Sequence, residues 1–288
     1  MPNHTFARRT LAALAIVFTC SFAAAEDREA SYKTPYSVEF SYPLRELIGD
    51  LESTPRGNPA FESTVPANEW YSGQVRERYG AWGPPAVHYP APVGLAGKSN
   101  EWLRERVIAV AMRFQGYTYQ HHHCPDWSPP AGWPWKTVRS GKNGKGVDCS
   151  NFTAFVYNQG LGIKLTGEVH DQGKNLEVSG PGPGHTTKAH HIDLPKEYEK
   201  FESTFRTGDL LFVRSDKGQV SHVVIWVGPI GRSPDDVPLI IDSTGDGHRD
   251  SNGVDIPEGV HLRPFVEKSW YFRNADHVVR IIPDGAKK

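Results

Sequence analysis

The chain has 288 residues, with 32 Lys and Arg against 33 Asp and Glu, so its formal net charge at neutral pH is −1. That balance offers no basic face for nucleic acid. A chain this long buries its own core without a disulfide framework, and its only cysteines are Cys20, Cys124 and Cys149.

The first 25 residues read as a secretory signal. Arg8 and Arg9 supply a charged start, Leu11 to Phe22 a short apolar core, and Ala23-Ala24-Ala25 a small-residue cleavage site. Thr10-Leu11 is a poor continuation for twin-arginine export, so ordinary secretion and cleavage near Ala25 are expected, with Cys20 leaving alongside. The apolar stretch is too short to span a bilayer comfortably and no second one follows. The expectation is an exported protein, periplasmic or extracellular, with no transmembrane segment.

Residues 26–98 form an N-terminal extension rich in Pro, Gly, Tyr and Trp, with little sustained periodicity. Short helices are expected over Pro43 to Glu52 and Trp70 to Tyr79. Trp82-Gly83-Pro84-Pro85, Pro90 and Pro92 read as an extended linker. The segment either wraps the domain that follows or contacts a partner.

From Glu101 the pattern sharpens. Leu103, Val107, Val110, Ala111 and Phe114 recur at helical spacing up to Gly116. A long loop rich in Pro and Trp runs from His121 to Gly146, and then comes Gly-Val-Asp-Cys-Ser-Asn-Phe, residues 146–152. Asp148 suits a helix N-cap. Behind it, Cys149, Phe152, Phe155 and Val156 share one stripe, and Gly160 reads as the stop. Cys149 would sit at the positive end of the helix dipole, which favours thiolate over thiol, and thiolates attack carbonyls. A small buried cysteine capping an apolar stripe is the alternative.

Beyond the polar stretch Ser179 to Gly184 lie apolar runs suited to strands. They are Leu210 to Val213 after the turn Thr207-Gly208-Asp209, Ser221 to Val227, Leu239 to Asp242, and Val278 to Ile282. A helix followed by antiparallel strands predicts an α+β domain over residues 99–285, the nucleophile helix packed on the sheet.

A cysteine nucleophile needs a base, and that base an orienting partner. Of 13 histidines, His222 stands out because it opens a β-branched strand. Alternation puts His222, Val224 and Trp226 on one face, which is expected to abut the Cys149 helix. Asp242 closes the next apolar run and could accept the imidazole's other N–H. Alternatively Asp242 merely starts the turn that follows, and His248 is the reserve.

The ordered set Gly116 to Tyr119, Asp148 to Phe152, Gly208 to Phe212 and Ser221 to Ile225 resembles the NlpC-type cell-wall cysteine peptidases, papain-like enzymes of bacterial peptidoglycan turnover. Arg263-Pro264-Phe265, Trp270-Tyr271-Phe272 and Val279-Arg280-Ile281 resemble that family's closing strand region. The resemblance runs from about Glu101 to Pro283 and leaves the extension outside. It implies Cys149 as nucleophile, His222 as general base and Asp242 in a third position that usually holds His, less often Asn or Gln. It puts Tyr119, Asp148, Ser150 and Ser221 on the substrate side, where an acidic group and hydroxyls receive a peptide's free amine. Backbone N–H groups at the helix start, including that of Cys149, would meet the oxyanion. The implied substrate is a peptidoglycan stem peptide, cut at the γ-D-glutamyl–diaminopimelate bond without a cofactor. A muramoyl-alanine amidase, a toxin-like effector or a non-catalytic wall-binding protein are the alternatives.

Two departures stand out. The interval between Tyr119 and Cys149 is long and carries His121, His122, His123, Cys124, Asp126, Trp127, Trp133 and Trp135. The loop from Gly228 to Pro238 is also enlarged, and both insertions are expected near the groove. Imidazole and thiolate are zinc ligands, but adjacent ligands lack finger spacing, so a polar aromatic loop is expected there and no metal. A Cys124–Cys149 bridge would silence the nucleophile, so Cys124 is expected to be free in active protein.

Overall fold

A two-residue strand, β1 (Ser37–Val38), precedes the short helices α1 (Leu44–Ile48), α2 (Asp50–Ser53) and α3 (Gly73–Tyr79). The structure, a computed structural model, describes residues 32–53, 63, 65–84, 86–123, 131–138 and 146–284. The signal-like stretch, Cys124, Asp126 and Trp127 lie outside the described residues. Lys33–Lys288 form one compact unit. Among the described residues no helix is long and apolar enough to cross a membrane.

Helix α4 (Asn100–Met112) starts where the Ser99 hydroxyl accepts the Trp102 N–H at 3.1 Å. It is buried on nearly every side, charged residues included, so those charges need partners. Arg106 binds the Asp50 carboxylate at 2.6 and 2.8 Å and the Gly160 carbonyl at 2.5 Å. The Glu105 carboxylate accepts the Ser41 N–H at 2.8 Å. The Pro-rich stretch read as a linker runs along the next helix, where Asn158 binds the Tyr89 N–H at 3.0 Å and the Val87 carbonyl at 2.7 Å.

That next helix is α5 (Cys149–Leu161). Asp148 caps it as expected, but Gly160 does not stop it. The stop is Gly162, whose φ of 67° gives the left-handed turn that ends a helix at low cost only with glycine. Gly160 instead faces α4, where an added Cβ would lie 3.4 Å from Val110 Cγ2. A side chain as small as alanine's would make an ordinary van der Waals contact there.

After α6 (Val169–Lys174), a small hairpin forms from β2 (Glu177–Ser179) and β3 (Thr186–Lys188), followed by β4 (His190–Ile192) and α7 (Phe201–Thr204). Then come β5 (Leu210–Arg214), β6 (Val220–Trp226), β7 (Gly231–Arg232), β8 (Leu239–Thr244), β9 (His248–Arg249), β10 (Asp255–Ile256) and β11 (Gly259–Pro264). Helix α8 (Trp270–Arg273) and β12 (Ala275–Arg280) close the chain's regular structure. The main sheet has the order β11-β8-β6-β5-β12-β4, every neighbouring pair antiparallel. The domain is α+β, as expected.

Two placements differ from the sequence reading. Val224 and Trp226 do not abut the Cys149 helix; they join Phe201, Phe205, Phe265 and Tyr271 in a cluster that contains no residue of α5. Trp226 meets Phe205 and Phe265 edge-on, with ring centroids 5.2 and 5.1 Å apart. Aromatic residues from α7 and α8 claim that face, and no alternation rule foretells which layer a face receives. The loop from Gly228 to Pro238 leaves the far end of β6 from His222, so it lines no part of the cleft described below. Its strand β7 pairs with β1 instead.

Candidate active site

Cys149 opens α5, and Gly146 explains how the chain reaches it. A Cβ on Gly146 would sit 2.1 Å from the Thr118 carbonyl oxygen, so only glycine allows the two backbones so close. Val147 next door donates its N–H to Thr118 O at 3.0 Å, and its carbonyl accepts the Ser243 hydroxyl at 2.6 Å. The residues ahead of the nucleophile are thus tied to both the Tyr119 segment and β8.

His222 lies beside an irregularity in its strand. Val213 pairs with His222 but Arg214 pairs with Val220, which leaves Ser221 as an extra residue. Such a bulge re-aims neighbouring side chains. His222 Nε2 lies 2.6 Å from Asp242 Oδ2. Cys149 interacts with the same ring. Cys149, His222 and Asp242 therefore meet at one end of the sheet, not across a face. β8 continues to Thr244, so Asp242 is a strand residue and the turn begins after it.

Asp242 is fully buried and takes three donors. Tyr271 Oη reaches Oδ2 at 2.8 Å, beside His222, and Arg263 Nε reaches Oδ1 at 2.7 Å. Burial by itself would raise the carboxyl, but the Arg263 guanidinium, His222 and the Tyr271 hydroxyl hold it well below the ordinary carboxylate range. Burial opposes charge on His222 as well. The Cys149 charge, the bonds to Asp242 and Cys149, and the Asp242 charge outweigh that and push the imidazolium up to about 10. The arrangement therefore holds the His222 ring in its protonated form.

His248 stands apart from the array's hydrogen bonds: its ring lies 4.9 Å from that of Tyr271, and burial and Arg263 lower its pKa. Sequence reasoning missed Arg263 and Tyr271 as partners of Asp242. A signal existed, since Arg263 interrupts an apolar strand at a fully buried position, where a guanidinium needs a carboxylate.

An open cleft of about 830 Å³ reaches Cys149 and His222. Its walls include Tyr119, His121, His122, Asp148, Cys149, Ser150, Ser221, His222 and Trp270. All four residues expected on the substrate side are therefore there. Asp148, however, is already well supplied with donors. Its Oδ1 accepts the Asn151 N–H at 2.8 Å and lies 3.2 Å from Ser150 Oγ, while Oδ2 accepts Asn151 Nδ2 at 2.9 Å and the His123 N–H at 3.1 Å. Burial raises its pKa against those bonds. Ser150 Oγ turns to the Gly167 carbonyl at 2.6 Å. Burial, followed by the Cys149 and Asp148 charges, keeps the Tyr119 phenol protonated, and its hydroxyl lies 3.1 Å from His121 Nδ1.

The three histidines divide their tasks. His121 and His122 line the cleft, their rings 3.8 Å apart. His123 is buried, with Nδ1 2.6 Å from the Gly146 carbonyl and Nε2 2.5 Å from the Tyr71 hydroxyl. Among the described residues no group of three or more His, Cys, Asp or Glu could hold a metal ion.

Residues 135–249 match the family model of the NlpC/P60 family, a span that includes the nucleophile helix, His222 and Asp242. Over that span the chain is similar to the NlpC/P60 family. No curated protein matches the chain. Solved structures that it is similar to include an NlpC/P60 family protein from Bacillus cereus, with 18% identity, 67% of this chain and 42% of that one covered, and a TM-score of 0.38. Another is the NlpC/P60 domain of the peptidoglycan hydrolase SagA, at 21% identity over 61% of this chain and 97% of that domain, with a TM-score of 0.33. NlpC1 from Trichomonas vaginalis shares 16% identity over 68% of this chain and 49% of its own length, with a TM-score of 0.34. This chain thus spans less than half of the Bacillus and Trichomonas proteins.

Proposed function

We propose that this protein is an exported cysteine peptidase that hydrolyses peptidoglycan stem peptides through an acyl-enzyme on Cys149. The observation that carries the chemistry is the Cys149–His222–Asp242 array, whose first two members line an open cleft. The similarity to the NlpC/P60 family points to peptidoglycan, and the bond we favour is γ-D-glutamyl–diaminopimelate.

In this reading the Cys149 thiolate attacks the scissile carbonyl, forming the C–S bond and an oxyanion. Backbone N–H groups at the start of α5, including that of Cys149, donate to the oxyanion, helped by the helix dipole. His222 then gives its Nδ1 proton to the leaving amine as the C–N bond breaks. Now neutral, it takes a proton from water, and the resulting hydroxide displaces Cys149 from the acyl group. Throughout, Asp242 holds the Nε2–H and so keeps Nδ1 free for the reaction.

Digestion of purified sacculi, with fragments identified by mass spectrometry, tests this directly. The expected products end at D-glutamate and begin at diaminopimelate, with none from Cys149→Ala. Equal release by that variant, or no release by the native protein, refutes the peptidase reading. Scission between muramic acid and alanine would make the protein an amidase instead.

A further inference from the structure

We propose that Arg263 is a positioning residue for the reaction, binding the Asp242 oxygen that His222 does not use and balancing its charge. The inference rests on the cysteine peptidase reading and adds to it a residue that touches no substrate.

The geometry is specific. Asp242 offers Oδ2 to His222 and Tyr271, and Arg263 Nε occupies Oδ1 at 2.7 Å, with both side chains sealed from solvent. Arg263 is itself clamped: Nη2 donates to the carbonyls of Pro257 and Gly259, each at 3.1 Å. Three directed bonds leave the guanidinium little freedom, and through it the carboxylate cannot rotate away from the imidazole. A lysine would supply the charge without the fork.

Stability alone is a poor reason for this guanidinium. Its Nη1 is buried and finds no hydrogen-bond partner among the described residues. Apolar side chains often replace buried ion pairs without loss. What Arg263 does provide is charge balance: its guanidinium offsets the buried Asp242 carboxylate behind the His222 imidazolium. The groups facing His222 are Cys149 from α5, Asp242 from β8 and Tyr271 from α8. Arg263 from β11, His248 from β9 and His261 from β11 stand behind them. Without Arg263 the array carries an excess negative charge, and His222 grips its proton harder than a general acid should. Without Asp242 the lone guanidinium repels the imidazolium.

The test uses alkylation of Cys149 by iodoacetamide as a function of pH, which needs no substrate, beside sacculus digestion. The alkaline inflection of the alkylation profile reports loss of the His222 proton. In Arg263→Met we expect that inflection to rise by about one pH unit or more, with hydrolysis falling about 10²-fold. Asp242→Asn should lower the inflection. Arg263→Met with Asp242→Asn should hydrolyse faster than Arg263→Met alone, because the unbalanced carboxylate is gone. Arg263→Lys should keep the native inflection while hydrolysis drops. A folded Arg263→Met with the native inflection overturns the proposal. If that variant does not fold, a displaced inflection in Arg263→Lys overturns it equally. Neither result touches the peptidase reading, which stands or falls on Cys149→Ala.

Discussion

The Tyr71 hydroxyl lies 2.5 Å from Nε2 of His123, and the two rings stack with centroids 5.2 Å apart. His123 in turn meets the Gly146 carbonyl through Nδ1 and the Asp148 carboxylate through its backbone N–H. A residue of the N-terminal extension therefore braces the turn that delivers Cys149. Tyr71→Phe keeps the ring and deletes one hydrogen bond to a buried group, at a cost of about 1–3 kcal/mol. We expect the urea midpoint to fall accordingly and the alkaline inflection of Cys149 alkylation to stay in place. An unchanged midpoint would mean that the bond contributes nothing.

Gly160 and Gly162 should respond in opposite directions to alanine. Gly160 is inside α5, and a Cβ there would meet Val110 at 3.4 Å, an ordinary contact. Gly160→Ala gains helix propensity of about 1 kcal/mol, a rise of roughly 2–4 °C in Tm. At Gly162 the φ of 67° is strained for any side chain, and a Cβ would sit 3.0 Å from the carbonyl oxygens of Tyr89 and Pro90. Gly162→Ala should lower stability by at least about 1–2 kcal/mol. Calorimetry on the two variants checks both signs.

Stability should depend on pH through His222. Its folded pKa is raised to about 10, above the value of about 6.5 for an unfolded histidine. The stabilisation is therefore complete below the unfolded value and disappears as pH rises through the folded one. Asp242 works at the opposite end: its lowered pKa stabilises the fold above the unfolded carboxyl value and is lost on acidification below it. Urea unfolding across the alkaline range should show a decline that His222→Asn flattens. A variant with the same slope as the native protein would remove His222 as the cause.

Cys149 should be the fast thiol of this protein at neutral pH. The helix start and the neighbouring His222 imidazolium both stabilise negative charge on the sulfur as it attacks. We expect iodoacetamide to label it much faster than a model thiol, and His222→Ala to bring the rate down to that of the model. Slow labelling of the native protein alongside firm sacculus binding would mark a wall binder and not an enzyme.

Much of the site was legible along the chain. The Asp148 cap, the Cys149 helix, the β-branched run beginning near His222 and the apolar run holding Asp242 each followed from local chemistry, because caps, periodicity and strand preference act between near neighbours. Gly160 was misread for a physical reason: two glycines lie two residues apart, and only the left-handed backbone at Gly162 shows which one ends the helix. The Val224 and Trp226 face was misassigned because alternation says which residues share a side and not what covers it.

Residue order and type determined the helix that Cys149 opens, its Asp148 cap and the strands that follow, since each depends on groups within a turn or a strand of one another. Only the tertiary structure decided which polar groups enclose Asp242. Arg263 and Tyr271 approach it from 21 and 29 residues away, and a buried carboxylate selects its donors by distance and direction in space. The same holds for Tyr71, which reaches the nucleophile's turn across 52 residues of sequence to His123.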